Sequence, residues 1–187
     1  MLLHIDFIAK NKLCHPIFAE MLSNCYNSDM KILGIDPGMA IVGYGLTESD
    51  ENNPDNIKLI TSGSIQTDKN KSDSKRLLEI FNDLSEILEL YTPDCASVEN
   101  LFFFKNQKTV IPVAEARGVI LTVLEKYHIP TFSYTPMEVK QVLTGYGRAE
   151  KKEVEKMVSL ALKTDKLPKL DDTVDAIAIA ICHSRHL

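Results

Sequence analysis

Four carboxylate residues lie at the ends of apolar segments in this chain. Asp36 and Glu99 each follow a short apolar run, whereas Asp172 and Asp175 begin an alanine-rich segment. A carboxylate at the edge of an apolar core costs free energy unless a cation or a hydrogen-bond donor pairs with it. Four such acids from three parts of the chain therefore indicate a hard divalent cation, and with it chemistry on phosphate.

The pair Asp172 and Asp175 sets the geometry of this candidate metal site. Residues three apart share one face of a helix, with β-carbons about 5–6 Å apart, so the two charges repel each other. The positive end of the helix dipole offsets roughly 0.3–1 kcal/mol per acid, and a bound cation would offset far more. Two ions about 3.5–4 Å apart can activate a water and stabilise a leaving oxygen. We therefore expect two Mg²⁺ ions per subunit, with Mn²⁺ as a substitute.

Each acid alone also has a simpler interpretation. Asp36 precedes a Pro-Gly pair and would suit a turn, Asp172 would suit a helix N-cap, and Glu99 would suit a solvated strand end. The order and spacing of the four together favour the metal site. Gly38 supports this interpretation because, without a β-carbon, it lets a backbone or a phosphate approach Asp36 closely.

The length and composition are those of one globular domain. The 187 residues are 44% hydrophobic, and no apolar stretch approaches the roughly 18 residues of a membrane span. The net charge of −5 argues against a general nucleic-acid coat, so any DNA contact must use a local patch. The four cysteines are scattered, with Cys95 and Cys182 in apolar segments, which predicts a reducing compartment. The five histidines form no cluster, and we expect His183 to be structural or on the surface.

Hydrophobic periodicity predicts an α/β fold from Met30 onward. The predicted strands are 31–36, 41–47, 57–66, 94–99 and 131–135, and the predicted helices are 74–91, 107–127, 149–163 and 172–186, with a further helix that begins at Pro136. Thr135 and Glu138 form a capping box around Pro136. This order is typical of a five-stranded mixed β-sheet flanked by α-helices. Residues 1–29 differ from this pattern, and we interpret them as an N-terminal extension or the artefact of an upstream start, outside a domain at 30–187.

A basic and aromatic region separates the acids. Residues 100–160 carry nine Lys or Arg against six Glu, a local charge of +3 in an acidic chain. Contacts with phosphates need such a patch. Phe102, Phe103 and Phe104 precede Lys105, so aromatic rings lie beside a positive charge, as stacking on unpaired bases requires. Core packing is the simpler interpretation of the Phe run, but three consecutive side chains cannot all face one core.

These residues belong to segments that resemble the RuvC-type Holliday junction resolvases, the crossover junction endodeoxyribonucleases. The resemblance covers nearly all of residues 30–187, in the family's order. The matching segments are Gly34-Ile-Asp36-Pro-Gly38, Gly43-Tyr-Gly45, Val98-Glu99-Asn-Leu-Phe102, Lys105-Asn106, Ala116-Arg117-Gly118, Val139-Lys140-Gln141, Gly145-Tyr-Gly147-Arg-Ala-Glu-Lys151 and Asp172-Thr-Val-Asp175-Ala-Ile-Ala.

The resemblance implies an RNase H-like fold, a homodimer and Mg²⁺-dependent nicking of two opposed strands at a four-way DNA junction. The nicks would leave 5′-phosphate and 3′-hydroxyl ends, in homologous recombination and repair. Asp36, Glu99, Asp172 and Asp175 match the family's catalytic, metal-binding acids, although some members have histidine at the position of Asp172. The resemblance also implies a bacterial cytosolic protein with the RuvA–RuvB branch-migration complex as a partner.

The resemblance further implies a set of DNA contacts. Phe102 matches a position that stacks on an unpaired junction base, and Lys140 and Lys151 match basic positions near the scissile phosphate. The rest of the expected DNA-binding set is Lys105, Arg148 and Lys152.

Simpler interpretations of these basic residues stay open. Lys140 would suit the solvated face of a helix, and Lys151 and its neighbour would pair with Glu155 on an exposed helix. Arg117 would equally suit a helix surface. The apolar helix 109–127 would serve either a dimer contact or packing on its own sheet.

Three other functions would suit parts of the same sequence. A sugar kinase or actin-like ATPase also begins with a Gly-Ile-Asp-x-Gly strand, but it needs a second lobe for which the chain after Met30 has no room. A nuclease of the same fold that acts on another branched DNA remains an alternative. A junction-binding protein without catalysis is another, although the intact set of acids argues against it.

Overall fold

The computed structural model describes residues 29–50, 53–100 and 107–186. The strands are β1 (Met30–Asp36), β2 (Ile41–Asp50), β3 (Asn53–Gln66), β4 (Cys95–Glu99) and β5 (Thr131–Tyr134). The helices are α1 (Asp73–Tyr91), α2 (Gln107–Lys126), α3 (Pro136–Thr144), α4 (Lys151–Ala161) and α5 (Asp171–Ser184). Residues 1–28 lie outside the described part of the chain, so the assignment of 1–29 to an extension stays a prediction.

The five strands form one mixed sheet in the order β3-β2-β1-β4-β5, which confirms the predicted architecture. The first three strands pair antiparallel, whereas β1 pairs parallel with β4 and β4 parallel with β5. The prediction was wrong about the lengths of β2 and β3, which run to Asp50 and from Asn53. Polar residues in this stretch suggested a loop, but cross-strand pairing with two register shifts continues the hairpin through it.

Helices cover both faces of the sheet. Side chains alternate between the two faces of a strand, so Leu33 and Ile35 face α1 and α2. The predicted amphipathic character of α1 is confirmed, since Ile80 and Leu84 lie in that same core. The opposite face carries a second core around α5, which includes Ile177 and the α3 and α4 helices.

Helix α5 lies unusually close to β1 and β2. A β-carbon on Gly34 would lie 2.0 Å from the carbonyl oxygen of Ala176, and one on Gly43 would lie 2.0 Å from that of Asp172. These distances are far shorter than any real contact, so only glycine fits at both strand positions. The N-cap of α5 is Leu170, so the interpretation of Asp172 as an N-cap is wrong.

Two capping boxes fix the helices that follow β5. The side chain of Thr135 accepts a hydrogen bond from the Glu138 N–H (3.2 Å), and the Glu138 carboxylate accepts one from the Thr135 N–H (2.7 Å). This confirms the predicted start of α3. Glu150 and Glu153 form a second box at the start of α4, so Lys151 has a fixed position at the first helical residue.

The cysteines and the helix lengths agree with the composition. Cys95 and Cys182 are buried thiols, as expected, whereas Cys14 and Cys25 lie outside the described ranges. None of the helices in the described part of the chain is both long and apolar enough to cross a membrane.

Candidate active site

Asp36 and Glu99 emerge side by side at one edge of the sheet. Ile35 pairs in parallel with Val98, so the next residue on each strand is an acid. Both acids also lie on the face that α5 covers. Residues two apart on a strand share a face, so Gly34 and Ser97 show which face this is. Gly34 abuts Ala176 of α5, and the Ser97 hydroxyl donates to the Ile179 carbonyl (3.2 Å).

The close contact at Gly43 brings the N-terminus of α5 to the same edge. Gly43 pairs with Asp36 across β1 and β2, and the backbone of Asp172 lies directly on Gly43. Asp172 and Asp175 are the second and fifth residues of α5, and both are close enough to Asp36 for their charges to raise its pKa. The structure therefore brings the four acids predicted from the sequence into one electrostatic group.

Burial and mutual repulsion dominate the electrostatics of this group. Burial, followed by the charges of Glu99, Asp175 and Asp172, raises the pKa of Asp36 to about 8. Burial also raises the pKa of Glu99, followed by the charge of Asp175, whereas a hydrogen bond with Asp36 and the charge of Lys140 lower it. Both shifts disfavour the ionised form, so the Asp36 and Glu99 carboxylates are unfavourable at this edge unless a cation lies beside them.

Two lysines, Lys140 and Lys151, supply positive charge next to these acids. The Lys151 ammonium lies 3.3 Å from Asp175 Oδ2 and 3.1 Å from Asp171 Oδ2. Burial raises the pKa of Asp175, and the charge of Lys151 partly offsets that increase. Lys140 is half-buried and lines the same cleft as Glu99, so it does not lie on a fully solvated helix face. The structure thus favours the interpretation of Lys151 as a partner of the α5 acids over a surface pair with Glu155.

A shallow cleft of about 210 Å³ lies between the two lysines and two of the acids. Its polar lining comes from Glu99, Lys140, Lys151 and Asp175, and its apolar floor comes from α3, α4 and α5. Pockets that enclose a small molecule are usually about 300–1,000 Å³. This cleft instead suits one phosphate group of a larger substrate, together with cations and their waters.

The donor set fits a hard divalent cation in its chemistry. Carboxylate oxygens are the ligands that Mg²⁺ and Mn²⁺ prefer, and the repulsion around Asp36 would be relieved by either ion. Within residues 29–50, 53–100 and 107–186, no three Asp, Glu, His or Cys side chains are already grouped as metal ligands.

Of the four other residues predicted to contact DNA, two lie in the described part of the chain. Arg148 lies on a neighbouring cleft, beside α3, and is exposed. Lys152 is exposed at the second residue of α4, next to Lys151. Phe102 and Lys105 lie outside the described residues, so their roles stay predictions.

Arg117 is a site residue for which the sequence left two interpretations open. Its Nε donates to the carbonyl oxygen of Glu99 (3.0 Å), and its Nη2 donates to the Ser133 hydroxyl (3.0 Å). Arg117 therefore joins α2 to the ends of β4 and β5 and holds the backbone that carries Glu99. The sequence signal for Arg117 was its place in the Ala116-Arg117-Gly118 segment, which does not reveal its partners on β4 and β5.

His183 is structural, as predicted: it is buried, its Nδ1 hydrogen-bonds with the Tyr134 hydroxyl (2.8 Å), and its ring stacks on Phe132.

At Gly38 the group that approaches is the backbone of the hairpin itself, because a β-carbon there would lie 2.2 Å from the Ile41 carbonyl oxygen. The buried face of α2 packs on its own sheet through residues such as Ile120.

Comparisons with known proteins agree on one family. The family model described as "Crossover junction endodeoxyribonuclease RuvC" matches residues 32–183. A crossover junction endodeoxyribonuclease RuvC of Caldicellulosiruptor saccharolyticus is 46% identical over 154 residues, which is 82% of this chain and 92% of that protein. One of Petrotoga mobilis is 50% identical over 154 residues, with 82% and 93% of the two chains covered. The structure of Thermus thermophilus RuvC in complex with a Holliday junction substrate is 30% identical, with a TM-score of 0.79 over 84% of this chain and 94% of that one.

Proposed function

The chain belongs to the family of RuvC crossover junction endodeoxyribonucleases, and on that basis we propose that it resolves four-way DNA junctions by two symmetric, metal-dependent nicks. The observation that carries this proposal is the meeting of Asp36, Glu99, Asp172 and Asp175 at one open edge of the sheet, beside Lys140 and Lys151. An open, charged cleft suits the backbone of a large nucleic acid. Homologous recombination and repair are the processes that produce such junctions.

The four acids are the proposed metal ligands and catalytic residues. When bound there, Mg²⁺ or Mn²⁺ would make a water more acidic and neutralise charge on the phosphate, and a pair of ions per subunit suits four carboxylates. Asp36 and Asp175 would hold the ions from the strand and helix sides, with Glu99 and Asp172 completing the set.

Lys151 and Lys140 are the proposed electrostatic groups at the scissile phosphate. Lys151 now pairs with Asp175 and Asp171, and release from these partners would leave its ammonium to stabilise the extra negative charge of the transition state. Hydrolysis with in-line attack on phosphorus and departure of the 3′-oxygen leaves a 5′-phosphate and a 3′-hydroxyl.

The remaining basic and aromatic residues are proposed to hold the junction. Lys105, Arg148 and Lys152 would contact phosphates, and Phe102 would stack on an unpaired base at the crossover. A homodimer would supply both cuts, because a two-fold axis presents the same site to two opposed strands. We further propose the RuvA–RuvB complex as the partner that delivers junctions, in the cytosol of a bacterium.

A panel of synthetic DNAs tests the proposal against its alternatives. We expect the full chain to cut a mobile four-way junction in Mg²⁺ and not in EDTA, and to leave duplex, flap and three-way substrates largely uncut. Preferred cutting of a flap or three-way substrate would favour the nuclease with another branched substrate. Tight junction binding without any cutting in Mg²⁺ or Mn²⁺ would favour the non-catalytic binding protein.

A further inference from the structure

The loop between α3 and α4 holds Tyr146 in a fixed position. The Gln141 side-chain amide donates to the Gly145 carbonyl (2.7 Å) and its oxygen accepts from the Gly147 N–H (3.0 Å). The Tyr146 N–H donates to the Thr144 hydroxyl (3.1 Å). The backbone on both sides of Tyr146 is therefore tied to α3, and the ring is presented on a rigid base.

The Tyr146 ring is nevertheless not part of a core. It is 60% exposed, and Met137 beside it is 50% exposed. Both residues line an open cleft of about 620 Å³, together with Gln141 and Arg148. A rigidly held, exposed aromatic ring offers a face on which a flat base can stack, and the guanidinium of Arg148 in the same cleft suits a phosphate.

This cleft borders the candidate active site. Met137 lies three residues before Lys140 on α3, so their side chains are neighbours, and Lys140 lines the cleft that Glu99 and Asp175 also line. Arg148 lies three residues before Lys151, which pairs with Asp175. A DNA strand that passes Lys140 and Lys151 would thus continue past Tyr146 without leaving the basic surface.

The cleft carries an acid as well as a cation. Glu138 also lines it, but the Glu138 carboxylate accepts hydrogen bonds from both the N–H and the hydroxyl of Thr135, each at 2.7 Å. Its charge is turned toward the N-terminus of α3, where the helix dipole favours it. Arg148 is the cation next to the ring.

We propose that Tyr146 is a further DNA contact, whose ring stacks on the base of a nucleotide next to the cleaved phosphate while Arg148 contacts the adjoining phosphate. The occupant is a DNA strand because the cleft borders the cleft of Glu99 and Asp175, through Met137 and Lys140 on α3, and carries its own cation, Arg148. This inference rests on the proposed junction cleavage. It adds a second stacking residue, and Tyr146 would help to select which unpaired or distorted nucleotide sits beside the site.

The test compares Tyr146→Ala, Tyr146→Leu and Tyr146→Phe in the full chain. Stacking of a base on an aromatic side chain is sequence-tolerant and strong enough for about a 5- to 100-fold loss of junction affinity in the Ala and Leu variants. Tyr146→Phe keeps the ring and should bind like the wild type. Leu160→Ala is the matched control, because Leu160 is also 60% exposed but lies on α4, away from this cleft.

A second readout locates the contact. A junction with 2-aminopurine at successive positions beside the cleavage site should change fluorescence with the wild type and Tyr146→Phe, and lose that change at one position with the Ala and Leu variants. Unchanged fluorescence and affinity in both variants would overturn the inference, as would an equal loss of affinity for junction and plain duplex. Failure of the proposed function would differ, because the wild type itself would then leave the junction uncut.

Discussion

At the scale of single residues, burial and mutual repulsion of the acids at the strand ends lower the stability of the protein when no cation is bound. Asp36 is buried against three other carboxylates, so its ionised form is disfavoured in the folded state. A divalent cation among these acids would attract each carboxylate, and it would lower the pKa values that burial and repulsion raise. Protonation of the acids is therefore linked to stability, and metal binding as proposed above would be linked to both.

The pH dependence of stability follows from this link. The pKa of Asp36 is about 8 in the folded protein and near 3.8 ordinarily, so the folded state holds the proton more tightly. The free energy of unfolding in EDTA should therefore fall as pH rises from about 4 to about 8 and level off above that range. Asp36→Asn should flatten this slope in urea unfolding measured at pH 5, 6.5 and 8. A wild-type slope in Asp36→Asn would contradict the account, and Asp83→Asn, an exposed acid on α1, is the control.

The contact of Arg117 with Glu99 predicts a positioning role. Arg117→Lys keeps the charge but cannot bond to the Glu99 carbonyl and the Ser133 hydroxyl at once, so Glu99 should lose its fixed position. We expect kcat for junction cleavage to fall by about tenfold, the order of one charge-assisted hydrogen bond, with KM little changed.

Arg76→Lys is the matched control for that variant. Arg76 also bonds through its guanidinium, to the Thr67 hydroxyl and Asp73, but it lies on α1. Equal losses of kcat in the two variants, or a loss in Arg117→Lys that follows its melting temperature, would show that Arg117 acts only through stability.

At the scale of elements, the distance between α5 and the sheet positions half of the acids. Gly43→Ala would place a β-carbon 2.0 Å from the Asp172 carbonyl oxygen, so the first turn of α5 must move. Such overpacking costs about 1–3 kcal/mol in a close-packed interior. We expect that loss in urea unfolding, and a fall in cleavage larger than the fall in junction binding.

Gly118→Ala on α2 separates the effect of the contact from that of losing a glycine. A β-carbon on Gly118 would meet no atom within 4 Å among the described residues, and alanine favours a helix by roughly 0.5–1 kcal/mol over glycine. This variant should be as stable as the wild type or more so. If Gly43→Ala keeps full stability and cleavage, α5 does not position the acids through this contact.

The elements also show which features a sequence can predict. The strand and helix periods, the capping box at Thr135 and the acids at the strand ends are local patterns, and each is confirmed as a structural feature. The pairing of Lys151 with Asp175 is not local, because it joins α4 to α5 across 24 positions. The same holds for Arg117 and for the Gly43 contact, which depend on how the helices pack and not on any one segment. The hairpin extension of β2 was missed because cross-strand pairing overrides weak propensity.

At the scale of the whole molecule, an acidic chain must bind a polyanion through a local basic surface. The chain carries a net charge of −5, so the basic residues near the acids have to supply the attraction. Lys152→Gln should then reduce the salt dependence of junction binding by about one unit of slope in log Kd against log salt. Lys75→Gln on α1, across the sheet, should leave the slope unchanged. Equal effects of the two variants would mean that binding responds to net charge alone.

The most direct test of the central claim compares the wild type and Asp36→Asn on one synthetic mobile four-way junction in Mg²⁺. Cleavage is followed on all four labelled strands, and binding is measured with the same DNA and buffer. We predict paired nicks with ligatable ends on two opposed strands for the wild type, and for Asp36→Asn a junction bound about as tightly but left uncut. Cleavage by Asp36→Asn at the wild-type rate would contradict the account, because Asp36 would then lie outside the catalytic site.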